Sequence, residues 1–231
     1  MKKNIRKIGW LVIGLLVCFP QIILAEMISP NWQTGDEWVV KAVYHSPVKK
    51  NEWSAPVYWK YAVTNRGTNA AGGFYVVEVS GSDRALQLSA RMVYGEDFSL
   101  LRAELKNIRR GKEIARTMKY GKGKPARTEQ TLIPYDNPVF PLRASSSADF
   151  SVTRRISDDL KVKDTIRQEI QTANSVTELP DWPENKVLTQ VRCSLVKKDV
   201  KPIFVQYWYK NLPWPVFGQN ENMKYWLVIE K

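Results

Sequence analysis

The stretches Trp38-Val39-Val40-Lys41-Ala42-Val43-Tyr44 and Val57-Tyr58-Trp59-Lys60-Tyr61-Ala62-Val63 decide the fold of this chain. In the first, Trp38, Val40, Ala42 and Tyr44 fall on one side and Val39, Lys41 and Val43 on the other. The second repeats the pattern, with Val57, Trp59, Tyr61 and Val63 set against Tyr58, Lys60 and Ala62. A period of two with β-branched and aromatic enrichment predicts half-buried strands. The same rhythm predicts strands over residues 74–80, 85–93, 98–108, 113–120 and 128–133. Turn-forming groups separate them: Asn65-Arg66-Gly67, Gly81-Ser82-Asp83, Arg109-Arg110-Gly111-Lys112 and Gly121-Lys122-Gly123-Lys124. Short consecutive strands joined by tight turns make an antiparallel meander.

Working outward toward the C-terminus, Pro134, Pro138 and Pro141 interrupt the alternation. Each proline removes a ladder donor, so this segment is expected to be a long crossing loop whose Val139, Phe140 and Leu142 pack down on the sheet. Ser145, Ser146 and Ser147 are placed to cap a short helix over 148–156. Strands are expected again over 160–170, 186–196, 203–209 and 223–229, with Leu179-Pro180-Asp181-Trp182-Pro183 as an intervening loop. In Tyr207-Trp208-Tyr209 the central ring must point opposite to its neighbours, so at least one large ring faces away from a one-sided core. The expected fold is mainly β, a single antiparallel, strongly curved sheet or half-barrel, with a proline-rich crossing loop and at most one or two short helices. No internal repeat or linker divides residues 26–231, which read as one domain.

Toward the N-terminus, Lys2, Lys3, Arg6 and Lys7 precede an apolar run from Ile8 to Leu24, and Ala25 stands before Glu26. A positive start, a short apolar middle and a small residue at the cut form a secretory signal peptide over residues 1–25, with cleavage expected after Ala25. The alternative is a retained membrane anchor, for which the run is short. The expected compartment is the periplasm. The 231 residues carry 35 Lys+Arg and 23 Asp+Glu, a net charge of +12. Removing the four basic residues of the leader leaves +8, and export removes nucleic acid from the expected partners. The hydrophobic content of 44% excludes a disordered chain. Cys18 would leave with the leader, so Cys193, flanked by the strand residues Val191 and Leu195, is expected to be a buried, inert thiol.

Enzymatic chemistry finds little support in the residues. The single histidine, His45, closes a strand beside Ser46, without an identifiable base or orienting group. One His and one Cys cannot furnish a zinc site, and Asp36-Glu37 and Asp158-Asp159 lack calcium-loop spacing. Residues 121–124 miss the phosphate-loop pattern. No metal, cofactor or catalytic residue is therefore expected, although a hydrolase using a carboxylate pair stays open.

Charge and aromatics carry more. Lys106, Arg109, Arg110, Lys112, Arg116, Lys119, Lys122, Lys124 and Arg127 face one acidic residue, Glu113, so this hairpin holds a net +8, the whole excess of the mature chain. Such a concentration suits an anionic or amphiphilic envelope component, lipid or glycan, or an acidic partner protein, with peripheral membrane contact. The plainer reading is lysine guarding an edge strand. Trp38, Trp59, Tyr61, Phe140, Trp182, Trp208 and Trp214 are the candidate ligand-binding aromatics. Trp182 and Trp214 stand in proline-flanked loops, where rigid rings line clefts or interfaces.

Taken together, the leader, the Trp32-Gln33-Thr34-Gly35-Asp36-Glu37-Trp38 opening, the long meander, the crossing loop and the aromatic C-terminal strand resemble the exported half-barrel proteins of the outer-membrane lipoprotein-carrier (LolA/LolB-like) kind. The resemblance is architectural and spans most of the mature chain. It implies a curved sheet that binds acyl chains on its concave face, with Trp38, Val40, Trp59 and Tyr61 in the wall and Val139, Phe140 and Trp214 in a lid. The many tryptophans and the basic hairpin depart from that group. The function expected is thus a non-enzymatic carrier for a hydrophobic or amphiphilic envelope ligand; the alternative is a carbohydrate-binding or envelope-structural β domain using its loop tryptophans.

Overall fold

Alternating side chains become alternating faces of one large sheet. The computed structural model describes residues 27–46, 48–49, 52–81, 87–109, 111–124, 132–155, 161–196 and 202–229. The expected leader, residues 1–25, lies outside them, as does most of the strand expected over 128–133, of which Leu132 and Ile133 are in a bend. Strands run β1 Met27–Ile28, β2 Glu37–Tyr44, β3 Val57–Asn69, β4 Gly72–Gly81, β5 Leu88–Gly95, β6 Leu100–Arg109, β7 Lys112–Lys119, β8 Leu142–Arg143, β9 Ser147–Arg155, β10 Lys161–Ala173, β11 Leu188–Leu195, β12 Phe204–Trp208, β13 Phe217–Asn220 and β14 Met223–Val228. No helix occurs among the described residues.

Twelve of these strands form one antiparallel sheet in the order β7-β6-β5-β4-β3-β2-β14-β13-β12-β11-β10-β9. It consists of two six-stranded meanders, one from each half of the chain, welded where β14 pairs with β2 from Met223↔Tyr44 to Val228↔Val39. The chain leaves one edge of the sheet at β7 and returns at the opposite edge as β9. The segment between them, with the three prolines, has to cross the sheet from edge to edge.

Two sequence expectations are corrected. The helix expected over 148–156 is not found at 148–155, residue 156 lying outside the described residues: Ser147–Arg155 is the edge strand β9, paired with β10 from Ser147↔Glu169 to Arg155↔Lys161. Its alternation of Ala148, Phe150 and Val152 with Asp149 and Ser151 is a strand period, and Arg167 holds Asp149 across the pair at 2.9 Å. Residues 65–67 are not a turn but continue β3. Thr64 is an extra residue between the pairs Val63↔Val77 and Asn65↔Val76, a β-bulge that shifts the register and lets the strand run on. The turn lies at Ala70 and Ala71, where Asn69 Oδ1 accepts the Ala71 N–H at 2.8 Å and Gly72 takes φ +115°. The short strands β1, β8 and β13 have no clear period in the sequence.

Cross-strand pairs share a face. The inner face runs through Met118, Ala103, Met92, Val77 and Val63 on one side, and through Val40, Leu227, Tyr225, Val191 and Ile170 on the other, all in one core cluster. A second, smaller cluster of Val176, Leu188, Val216 and Phe217 lies on the opposite face of the β10–β14 half, with Trp182, Tyr207, Tyr209 and Trp226 packed on it. Trp208 thus enters the main core, while Tyr207 and Tyr209 have a cluster of their own.

On the inner face Tyr225 pairs with Gly218. A Cβ at Gly218 would stand 2.1 Å from the Tyr225 ring, and that ring is fully buried. Replacing Gly218 by alanine is expected to destabilise the fold by about 2–3 kcal/mol through overpacking, measured as a lowered midpoint in urea unfolding; an unchanged midpoint would mean that the ring has room to move.

Candidate functional site

The centre of the inner face is closed by the crossing loop. Residues 133–138 are buried without exception, an arrangement that loops avoid because peptide groups away from water need partners. Proline at 134 and 138 removes two N–H donors from the account, and strand side chains serve much of the rest. The Tyr44 and Tyr61 hydroxyls donate to the carbonyls of Leu132 and Pro134. Gln206 Nε2 donates to the Asp136 carbonyl, and Asn137 Nδ2 donates to the Phe98 carbonyl. The Val139 N–H donates to Gln168 Oε1 at 3.1 Å. Strands from both meanders therefore hold one loop.

Above this loop lies a continuous aromatic stack. Trp32 stacks on Trp38 with centroids 5.5 Å apart, and Trp38 stacks on Tyr61 at 5.4 Å. Trp214 meets Tyr61 at 4.9 Å and Trp38 at 5.7 Å. Phe140 bridges Phe98 at 5.6 Å and Trp208 at 5.0 Å. The opening motif accounts for Trp32. Gly35 sits at φ +97°, Asp36 Oδ2 accepts the Gln33 N–H at 2.7 Å, and the tight turn folds Trp32 back over Trp38. Its indole N–H donates to the Pro213 carbonyl at 2.9 Å, joining this turn to the Trp214 loop.

Six of the seven candidate aromatics, Trp38, Trp59, Tyr61, Phe140, Trp208 and Trp214, come together in the main core and are buried. Trp182 does not join them: it is half-buried on the other face, edge-on to Tyr209 at 5.3 Å. The Trp59 indole N–H donates to the Tyr44 hydroxyl at 2.7 Å, and that of Trp208 to Gln206 Oε1 at 2.9 Å. The buried indole nitrogens of Trp38 and Trp214 have no acceptor among the described residues. Sequence reading missed Trp32, which the Trp-x-x-Gly-Asp-x-Trp spacing could have placed, Tyr94, which continues the alternation of Ala90 and Met92 in β5, and Tyr135 and Asp136, for which no local pattern exists.

Asp136 is the one buried carboxylate of the crossing loop, accepting from Asn220 Nδ2 at 3.1 Å. Burial raises its pKa to about 7, against a smaller lowering by Asn220. Burial likewise pushes the Tyr61, Tyr225 and Cys193 groups up, so they stay protonated. Cys193 is buried as expected. His45 meets Trp53 edge-on at 5.4 Å and stands apart from this interior. Among the described residues no group of three His, Cys, Asp or Glu side chains could hold a metal ion.

The basic hairpin stands at the sheet edge. Lys106, Lys112, Arg116, Lys119, Lys122 and Lys124 are all exposed; Arg109 pairs in register with Lys112, and Arg110 and Arg127 lie outside the described residues. The register divides the charge between faces, Lys106 and Lys119 on one and Lys112 and Arg116 on the other. Lys106 contacts Glu113 at 3.5 Å. At the tip, Ile108 and Ile114 are 43% and 54% exposed.

Compared with protein-family models, curated proteins and solved structures, the chain matches none.

The raised pKa of Asp136 sets a pH dependence. Below about pH 4 the carboxyl is protonated whether the chain is folded or unfolded. As pH rises toward about 7, only the unfolded chain ionises, so unfolding releases a proton and stability falls. The loss is on the order of 4 kcal/mol by pH 7. Asp136→Asn keeps an acceptor for Asn220 and is expected to flatten this decline, measured by urea unfolding at pH 4.5, 6 and 7.5.

Proposed function

We propose that the protein is an exported, non-enzymatic binding or carrier protein for an amphiphilic cell-envelope ligand, taken into the interior of a β half-barrel closed by the crossing loop. The observation that carries this reading is the pair of buried indole N–H groups of Trp38 and Trp214, on rings 5.7 Å apart, neither with an acceptor among the described residues. Leaving a buried donor unpaired costs about 1–3 kcal/mol. A ligand carbonyl or carboxylate lodged beside these rings recovers that cost, while its apolar chain meets the aromatic faces of Tyr61, Trp32 and Phe140.

Distances across the sheet support the half-barrel. Phe98 lies in the β5–β6 connection, two residues before β6 begins, and Trp208 ends β12, seven places from β6 in the strand order. On a flat sheet that separation is roughly 34 Å, yet the single ring of Phe140 touches both. Bending the sheet around the crossing loop reconciles the two. The leader over residues 1–25 supports export. The exposed basic hairpin, with isoleucines at its tip, suits an anionic head group or a membrane surface.

Native mass spectrometry of protein purified from the periplasm is expected to show a co-purifying lipid, and a fluorescent fatty-acid probe is expected to bind; absence of both overturns the carrier reading. Trp214→Leu removes a ring that fills the interior. It also removes one of the two donors that would meet the ligand's polar group, and is expected to cost about 3 kcal/mol in stability and to lower probe affinity several-fold.

For the hairpin, Lys112→Glu with Lys119→Glu is expected to lower co-sedimentation with vesicles containing phosphatidylglycerol at least five-fold in low salt. Binding to phosphatidylcholine vesicles should not change, and retention of the anionic-vesicle binding would reduce the hairpin to an edge guard.

A further inference from the structure

Away from both the interior and the hairpin, a cleft of about 580 Å³ opens where the β10–β11 end of the sheet meets the two-stranded β1–β8 sheet. Its volume falls in the range of small-molecule sites. Thr172 and Thr189, a directly opposed cross-strand pair, contribute hydroxyls to its lining. Ser145 adds a hydroxyl from the β8–β9 turn, Asn185 adds an amide, and Tyr209 adds an aromatic ring. Hydroxyl and amide groups around one aromatic ring match a sugar, which offers many hydroxyls at its edge and C–H groups on its face.

Charge narrows the ligand further. Lys186 and Lys210 line the cleft and, among the described residues, no carboxylate does, so its field favours an anion. Lys186 is held in position: its ammonium lies 5.7 Å from the Tyr209 ring centroid and 5.9 Å from that of Trp182. Its backbone carbonyl accepts the Trp182 indole N–H at 2.7 Å. A cation restrained over aromatic rings loses less freedom on meeting an anion than a freely rotating lysine.

We propose that this cleft binds an acidic saccharide, with Tyr209 against the sugar ring and Lys186 and Lys210 at its anionic group. The inference is independent of whether the interior accepts an acyl chain.

Isothermal titration calorimetry with the mature protein tests it, using a uronic-acid disaccharide, glucose 6-phosphate, maltose and inorganic phosphate as probes. At least one of the two acidic sugars is expected to bind at least ten-fold more tightly than maltose and than inorganic phosphate; which of them does so identifies the anion as carboxylate or phosphate. Lys186→Ala with Lys210→Ala is expected to weaken that sugar at least ten-fold with an unchanged melting temperature, and the double arginine variant to retain most of the affinity. Failure of both acidic sugars to bind, maltose or inorganic phosphate binding as tightly as they do, or an unaltered affinity in the alanine variant overturns the proposal. The fatty-acid probe reports on the interior separately.

Discussion

A loop that lies inside a protein must find partners for its peptide groups, and in this chain side chains provide many of them. The carbonyls of Leu132, Pro134 and Asp136 are met by Tyr44, Tyr61 and Gln206. The Val139 N–H finds Gln168, and Asn137 reaches the Phe98 carbonyl. Tyr44 and Tyr61 belong to the N-terminal meander, Gln168 and Gln206 to the C-terminal one. The loop is thus a tie between the two halves, and its burial depends on both being in place.

This tie explains how a helix-free sheet obtains a core. A single antiparallel sheet usually leaves one face to solvent unless something covers it. Here the cover comes from the chain's own connections: the crossing loop, the Trp32 turn and the Trp214 loop on the inner face, and the 174–187 segment with Trp182 on part of the other. The aromatic residues suit such a cover, because each ring removes a large area from water with few rotatable bonds. The indoles of Trp38 and Trp214, which have no acceptor among the described residues, are the exception in an interior whose Trp32, Trp59 and Trp208 nitrogens all find one.

Polar chemistry is spread over three separate places. Asp136 sits at the centre, where burial holds it near the point of ionisation. The exposed lysines of the β6–β7 hairpin stand at one edge of the sheet. Lys186 and Lys210 flank a cleft toward the other. Each site meets a different environment: buried interior, open solvent and half-enclosed cleft.

Most strands were legible in the sequence, because a period of two is a local property that each segment carries whatever it pairs with. Trp38 to Tyr44 and Val57 to Val63 needed no partner to be read. Residues 148–156 were misread because three serines imitate a helix cap, and the turn at 65–67 because an Asn-Arg-Gly group is also compatible with a bulged strand. Alternation set Trp38 on one face of its strand and Trp59 and Tyr61 together on one face of theirs, but which face is buried, and that Trp208 rather than Tyr207 and Tyr209 enters the main core, was decided by pairing. That Trp214 joins them and Trp182 does not was invisible, since both stand between prolines. What the sequence by itself determined was the strand character, the basic hairpin and the apolar crossing loop, all properties of neighbours along the chain. The pairing of β14 with β2, the path of the crossing loop through the interior, the isolation of Asp136 and the cleft at Thr172 and Thr189 were decided only by tertiary structure. Each depends on contacts between residues far apart in sequence, whose energies exist only once the sheet is assembled.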